Sequence, residues 1–143
     1  MDTDNLNSSS YNSVLTKIAE AGELISLEKD TEILRVGQFV KVIPLVQKGL
    51  IKVYTRYEDR ELLLYYIQPN QSCVMSFSAG INNEPSQVFA VTEEDTEAIL
   101  IPVSKLDTLT RENPNLNNFF FQQYKGRYAD LLDTIHYVLF DKI

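Results

Sequence analysis

Lys48-Gly49-Leu50-Ile51-Lys52-Val53-Tyr54-Thr55-Arg56-Tyr57, then Glu58-Asp59-Arg60, then Glu61-Leu62-Leu63-Leu64-Tyr65-Tyr66-Ile67, is the stretch that decides the fold. Ile51, Val53, Thr55 and Tyr57 alternate with Lys52, Tyr54 and Arg56, the period of two that a half-buried strand requires. A polar turn then separates this run from a second one rich in aromatic and aliphatic residues, which predicts a hairpin. The same signal repeats on both sides. LISLEKDTEIL (24–34), FVKVIPLV (39–46), SCVMSF (72–77), QVFAVT (87–92) and TEAILIP (96–102) are short runs of strand-forming residues. Turn residues punctuate them at Lys29-Asp30, Val36-Gly37-Gln38, Pro69-Asn70-Gln71 and Thr92-Glu93-Glu94-Asp95. Seven or eight strands about ten residues apart predict an antiparallel barrel or jelly roll. Strand–helix alternation of the parallel α/β kind is absent.

Helical patterns flank this region. The opening MDTDNLNSSS reads as a flexible leader. From Tyr11 to about Leu24, Val14, Leu15, Ile18, Ala19 and Ala21 recur at helical spacing, with Gly22 to end the helix. After Pro102, Ser104 is placed to cap a short helix that stops near Asn113-Pro114. A long helix then runs from about Asn115 to the C-terminus. Along it Phe121, Tyr124, Tyr128, Leu131, Ile135 and Val138 form a heptad stripe of the kind that pairs two helices. Phe120, Leu132 and Leu139 supply a second apolar face to pack on the barrel. Two faces need two partners, which predicts a homodimer. Leu139-Phe140-Asp141-Lys142-Ile143 keeps helical patterning with no stop signal, so either the helix frays or the chain is cut from a longer one; this reading favours the cut.

Composition bounds the chemistry. At 143 residues, 44% hydrophobic and 23% charged, the chain buries a core, and global disorder is excluded. Its 13 basic and 20 acidic side chains leave a charge of −7, which argues against these residues holding nucleic-acid phosphates unaided. Cys73 is the single cysteine, so neither an internal disulfide nor a four-thiolate site is available, and the expected compartment is the cytoplasm. No window has the ~20 apolar residues that a membrane helix needs. The one histidine, His136, lies beside the helix stripe and reads as a partly exposed helix residue. Phosphate-loop, Gly-x-Ser-x-Gly and His-Glu-x-x-His patterns are missing, and no enzyme, metal or cofactor is expected.

This order of elements, covering roughly Val14 to Ile143, resembles the effector domain of the Crp/Fnr-type, cyclic-nucleotide-binding transcription regulators of bacteria. The residues that carry the resemblance are Val36-Gly37-Gln38, Lys48 to Tyr54, Leu64-Tyr65-Tyr66-Ile67-Gln68-Pro69-Asn70-Gln71, and Ile101-Pro102-Val103-Ser104-Lys105-Leu106. It implies a mainly β fold: a jelly roll (double-stranded β-helix) flanked by helices, with a long dimerisation helix. The implied organisation is a leader over 1–10, a jelly-roll domain over 11–113 and the helix over 114–143. DNA would be reached only through a helix-turn-helix domain, and none fits within these residues.

In that family, a Glu in the cassette inside the barrel holds the ribose and an Arg pairs with the cyclic phosphate. Placing Ser86 on the cassette serine puts Pro85 at the arginine position, Met75 at the glutamate position and Val74 at the preceding glycine. Both charged anchors are therefore missing. Pro85 offers neither charge nor N–H, and an anion buried without a cation costs several kcal/mol. The expectation is a different small-molecule effector, or none. By analogy, Met75, Ser76, Phe77, Pro85 and Ser86 would line one side of its pocket, with Tyr124, Arg127 and Tyr128 closing the other. Two readings stay open: Met75 and Phe77 as core with the tyrosines as dimer knobs, or all of them as ligand contacts. The expected function is effector sensing and dimerisation in a DNA-binding regulator; the alternative is a stand-alone ligand-binding or protein-interaction module.

Overall fold

The computed structural model describes residues 8–73, 79–80 and 82–141. Within them the alternating runs become strands β1 (Glu23–Leu27), β2 (Glu32–Leu34), β3 (Val42–Lys48), β4 (Ile51–Tyr57), β5 (Arg60–Ile67), β6 (Phe89–Thr92) and β7 (Thr96–Pro102). All pairings are antiparallel, in one sheet of order β1-β7-β3 and another of order β2-β6-β4-β5. The two sheets face each other as a sandwich, as the jelly-roll reading required. Of the expected strand 72–77, the described part is Ser72, which bridges Leu45, and Cys73; the rest lies outside the described residues.

The decisive hairpin forms with β4 and β5 in register from Ile51–Ile67 to Tyr57–Arg60, but a bulge interrupts it between Val53 and Tyr54. The extra residue is Leu64 of β5, so β4 keeps its own pairing without a break from Ile51 to Tyr57. Ile51 and Val53 are fully buried, whereas Tyr57 is exposed. Tyr54, on the outward face, is nonetheless covered: it stacks on Phe89 with ring centroids 5.2 Å apart, and Lys52 and Arg56 lie over the ring. Both cations also reach Glu61 at 3.3 Å. Burial works against the charge on Lys52, but the hydrogen bond and charge of Glu61 outweigh it and raise the amine above its ordinary pKa. The hydrogen bond from Lys52 chiefly lowers the Glu61 carboxyl, against desolvation and with help from the Lys52 charge and Arg56.

Helix α1 (Ser8–Ala21) ends three residues earlier than the periodicity suggested, because Leu24 is drawn into β1. Gly22 does mark the end, for a packing reason: a Cβ there would lie 2.6 Å from Ile99 Cγ2. A 3₁₀ turn (Val103–Lys105) leads into α2 (Leu106–Glu112), so Ser104 lies inside the turn and does not cap the helix as expected; Lys105 holds the N-cap position with no side-chain hydrogen bond. Helix α3 (Pro114–His136) follows, with Pro114 in its first turn, and widens into a π-helical turn at Tyr137–Asp141. The core joins Val14 and Ile18 of α1, Leu106 of α2, and Leu116, Phe119 and Phe120 of α3 to the sandwich.

Gly49 turns β3 into β4 with φ of +104°, and a Cβ there would meet Thr96 Oγ1 at 2.5 Å and the Asp95 carbonyl at 2.6 Å. Gly49→Ala is expected to cost about 1–3 kcal/mol in urea unfolding. Glu61→Gln should cost ~0.5 kcal/mol at neutral pH, as for an exposed pair. Its lowered pKa means that this contribution is present at neutral pH and lost as pH falls through the folded-state value. The urea midpoints of wild type and variant should therefore converge in acid.

Candidate functional site

Of the expected ligand residues, Met75, Ser76 and Phe77 lie outside the described residues. The cassette's far side is described. Ala79, Gly80 and Asn82 are helical, the Glu84 N–H donates to the Ala79 carbonyl at 2.9 Å, and Asn83 takes φ of +55°. Pro85 is exposed and bridges Phe39. Ser86 is buried, and its hydroxyl closes a local turn: it donates to the Val88 carbonyl at 2.9 Å and accepts from the Val88 N–H at 3.1 Å. The Ser86 N–H pairs with the Gln38 carbonyl, and the Ser86 carbonyl with the Gly37 N–H, both at 2.8 Å. Both Ser86 donors are thus engaged, the N–H with the β2–β3 loop and the hydroxyl with Val88.

On the helix side the expected trio divides. Tyr124 and Tyr128 are exposed. Arg127 is turned toward the sandwich: its side chain is 12% exposed, its Nε donates to Asp130 Oδ2 at 2.9 Å, and its guanidinium stands 5.6 Å from the centre of the Tyr65 ring. The charge is therefore already paired and stacked. Arg60, in the β4–β5 hairpin, is exposed.

The barrel-facing row of α3 contains a contact that heptad reading did not reveal. Gln123, one helical turn from Phe119 and Arg127, grips the chain entering the cassette. Its Oε1 accepts from the Ser72 N–H at 3.0 Å and its Nε2 donates to the Asn70 carbonyl at 3.3 Å. Ser72 is fully buried, and its Oγ has no hydrogen-bond partner among the described residues. Cys73, also fully buried, places Sγ 4.0 Å from the Tyr65 hydroxyl. Two polar side chains, Gln123 and Arg127, continuing the row from Phe119 were the signal available in the sequence.

The two expected faces of the helix are partly exchanged. Phe120 is buried as predicted, with Leu116 and Phe119 beside it. Leu131, assigned to the stripe, instead packs against the core, and Leu132 and Leu139, assigned to the barrel, are 43% and 57% exposed. A helix of 3.6 residues per turn drifts by about 20° per heptad, so a strictly spaced stripe rotates off its face. The exposed row runs Phe121, Tyr124, Tyr128, Leu132, Ile135 and Leu139. Val138 is exposed and, with Leu131, Thr134 and Ile135, borders an open groove of ≈ 330 Å³ against Leu62 and Leu64 of β5.

No protein-family model matches the chain, and no curated protein matches it in sequence. Solved structures do. The c-di-GMP responsive global regulator CLP of Xanthomonas campestris aligns with a TM-score of 0.81 at 17% identity, covering 90% of this chain and 65% of its own. A CooA mutant from Carboxydothermus hydrogenoformans gives 0.72 at 20% identity, covering 96% of this chain and 84% of that one. A crp/fnr-family regulator of Eubacterium rectale gives 0.72 at 22% identity, covering 95% and 62%. The chain therefore has the fold expected from the resemblance, and it spans less than two thirds of the first and third of these proteins. No helix among the described residues is long and apolar enough to cross a membrane.

Ser86→Ala leaves the buried Val88 N–H and carbonyl without their partner. The expected loss is about 1–3 kcal/mol in urea unfolding. A neutral effect would show that this hydroxyl does not hold the turn.

Proposed function

We propose that this chain is the effector-sensing and dimerisation module of a Crp/Fnr-type transcription regulator. In the whole protein DNA would be read by a helix-turn-helix lying outside these residues. One observation carries the reading: α3 has its first half anchored in the core, while Phe121, Tyr124, Tyr128, Leu132, Ile135 and Leu139 stand exposed in one row. An apolar row of this length beside an apolar groove is far more than scattered surface residues supply, and a second copy of the same helix is its natural cover. A module of this shape transmits effector binding as a change in how two long helices lie together, and hence in the spacing of the DNA readers. Likeness of fold supports this reading, and the row argues for the dimer.

The effector in this reading is not a cyclic nucleotide bound through the usual acid–arginine pair. Pro85 stands at the arginine position, the Ser86 hydroxyl is engaged, and Arg127 is paired with Asp130. An anion entering here would have to displace these contacts while losing its hydration.

Replacing Leu132 and Ile135 together by Asp is expected to halve the mass in sedimentation equilibrium. The dimer should weaken on the order of 100-fold or more, since each side chain forfeits about 1.5–3 kcal/mol of burial. An unchanged mass refutes the dimer interface. Calorimetric titration with cAMP should give no heat of binding at micromolar concentrations; saturable binding would overturn the effector reading.

A further inference from the structure

We infer that the cleft between the two sheets, floored by Cys73, binds a small uncharged apolar molecule the size of a single aromatic ring. The register makes the cleft. Leu34 stands opposite Ala90 in one sheet, and Pro44 opposite Leu100 in the other. These two pairs line the same space, together with Cys73 and Val42. Facing sheets lie about 10 Å apart and need large side chains to fill the gap. Ala90 and Pro44 are too short to do so, and a space of ≈ 230 Å³ is left between the layers. None of its lining residues belongs to the set assigned by resemblance.

Size and wall chemistry select the ligand. An apolar cavity of about 150 Å³ holds benzene, whereas drug-sized ligands occupy about 300–1,000 Å³. The space here fits one ring with a short substituent. Polar side chains occur only at Thr31 and Glu32, and both are engaged: Thr31 Oγ1 donates to the Glu28 carbonyl at 2.6 Å, and Glu32 pairs with Arg35 at 2.8 Å. No lining residue is a cation, so a carboxylate or phosphate would lose its hydration unpaired. The cleft also connects to the helix. Its floor, Cys73, follows Ser72, whose N–H is held by Gln123 of α3. A ligand pressing on Cys73 therefore acts on the segment that the long helix grips. This consequence rests on the sensing role proposed above; binding itself does not.

The test is methyl and amide NMR on the full chain titrated with toluene, with benzoate as the anionic counterpart. The expected result is saturable shifts at the methyls of Leu34, Val42 and Leu100 and at the Ser72 amide, with Leu62 and Leu64 unmoved. Benzoate should bind at least tenfold more weakly. Ala90→Leu should fill the space and abolish the shifts; Ala90→Val, a smaller change, should weaken binding at least tenfold if the larger one prevents folding. The inference is overturned by an absence of saturable shifts, by shifts centred on Leu62 and Leu64, by benzoate binding as well as toluene, or by both Ala90 variants binding like wild type. An unmoved Ser72 amide with the cleft occupied overturns the link to the helix. Toluene binding by a chain that proves monomeric leaves this site standing and sinks the dimeric-sensor reading; a dimer that ignores toluene does the reverse.

Discussion

The paired strands β3 and β7 are apolar on both faces, and the rest of the structure follows from covering them. Ile43, Leu45 and Val46 in β3, and Ala98, Ile99 and Ile101 in β7, are buried on both sides of the pleat. One side is met by the opposing sheet. The other needs helices, since a two-sided apolar sheet left in water would forfeit about 25 cal/mol for each Å² of apolar surface. Val14 and Ile18 of α1, Leu106 of α2, and Leu116, Phe119 and Phe120 of α3 join that core. The last three fix where α3 begins and which way it runs. Its second half keeps Leu131 on the core but leaves its outer row bare. The exposed stripe is thus a consequence of how the core is closed.

The same economy governs the interior chemistry. This chain spends polar groups on its own architecture: the Ser86 hydroxyl on Val88, Arg127 on Asp130, and Gln123 on the backbone of residues 70 and 72. What remains open between the sheets is apolar, created by Ala90 and Pro44. A binding site built this way recognises shape and the absence of charge. Its floor meets the long helix by way of Gln123 on the Ser72 N–H and of Tyr65, which stands between Cys73 and Arg127.

Much of the fold was legible in the sequence because strand patterning is local. Lys29-Asp30, Gly37 and Lys48-Gly49 marked turns that the backbone does make, with φ of +67° at Asp30, +91° at Gly37 and +104° at Gly49. The failures share a cause: they depend on partners distant in sequence. Tyr54, expected on the solvent side of its strand, is covered by Phe89, 35 positions along the chain. Ser104 loses its capping role to a 3₁₀ turn anchored by the Val103 N–H on the Lys41 carbonyl at 2.9 Å. Leu131 and Leu132 exchange roles because helical drift accumulates from wherever tertiary packing pins the helix, here at Leu116–Phe120. Of the site, Pro85 and Ser86 could be placed by order along the chain, while the internal engagement of Ser86 and the grip of Gln123 required three dimensions.

Disulfide trapping along α3 tests the central claim most directly. In a Cys73→Ala background, Leu132→Cys should oxidise to a covalent dimer under native conditions, as the proposed pairing of the exposed row with its copy requires. Asp133→Cys, one residue round the helix and off the row, should remain monomeric under the same oxidation. Failure of Leu132→Cys to cross-link, or equal cross-linking at both positions, would contradict the account.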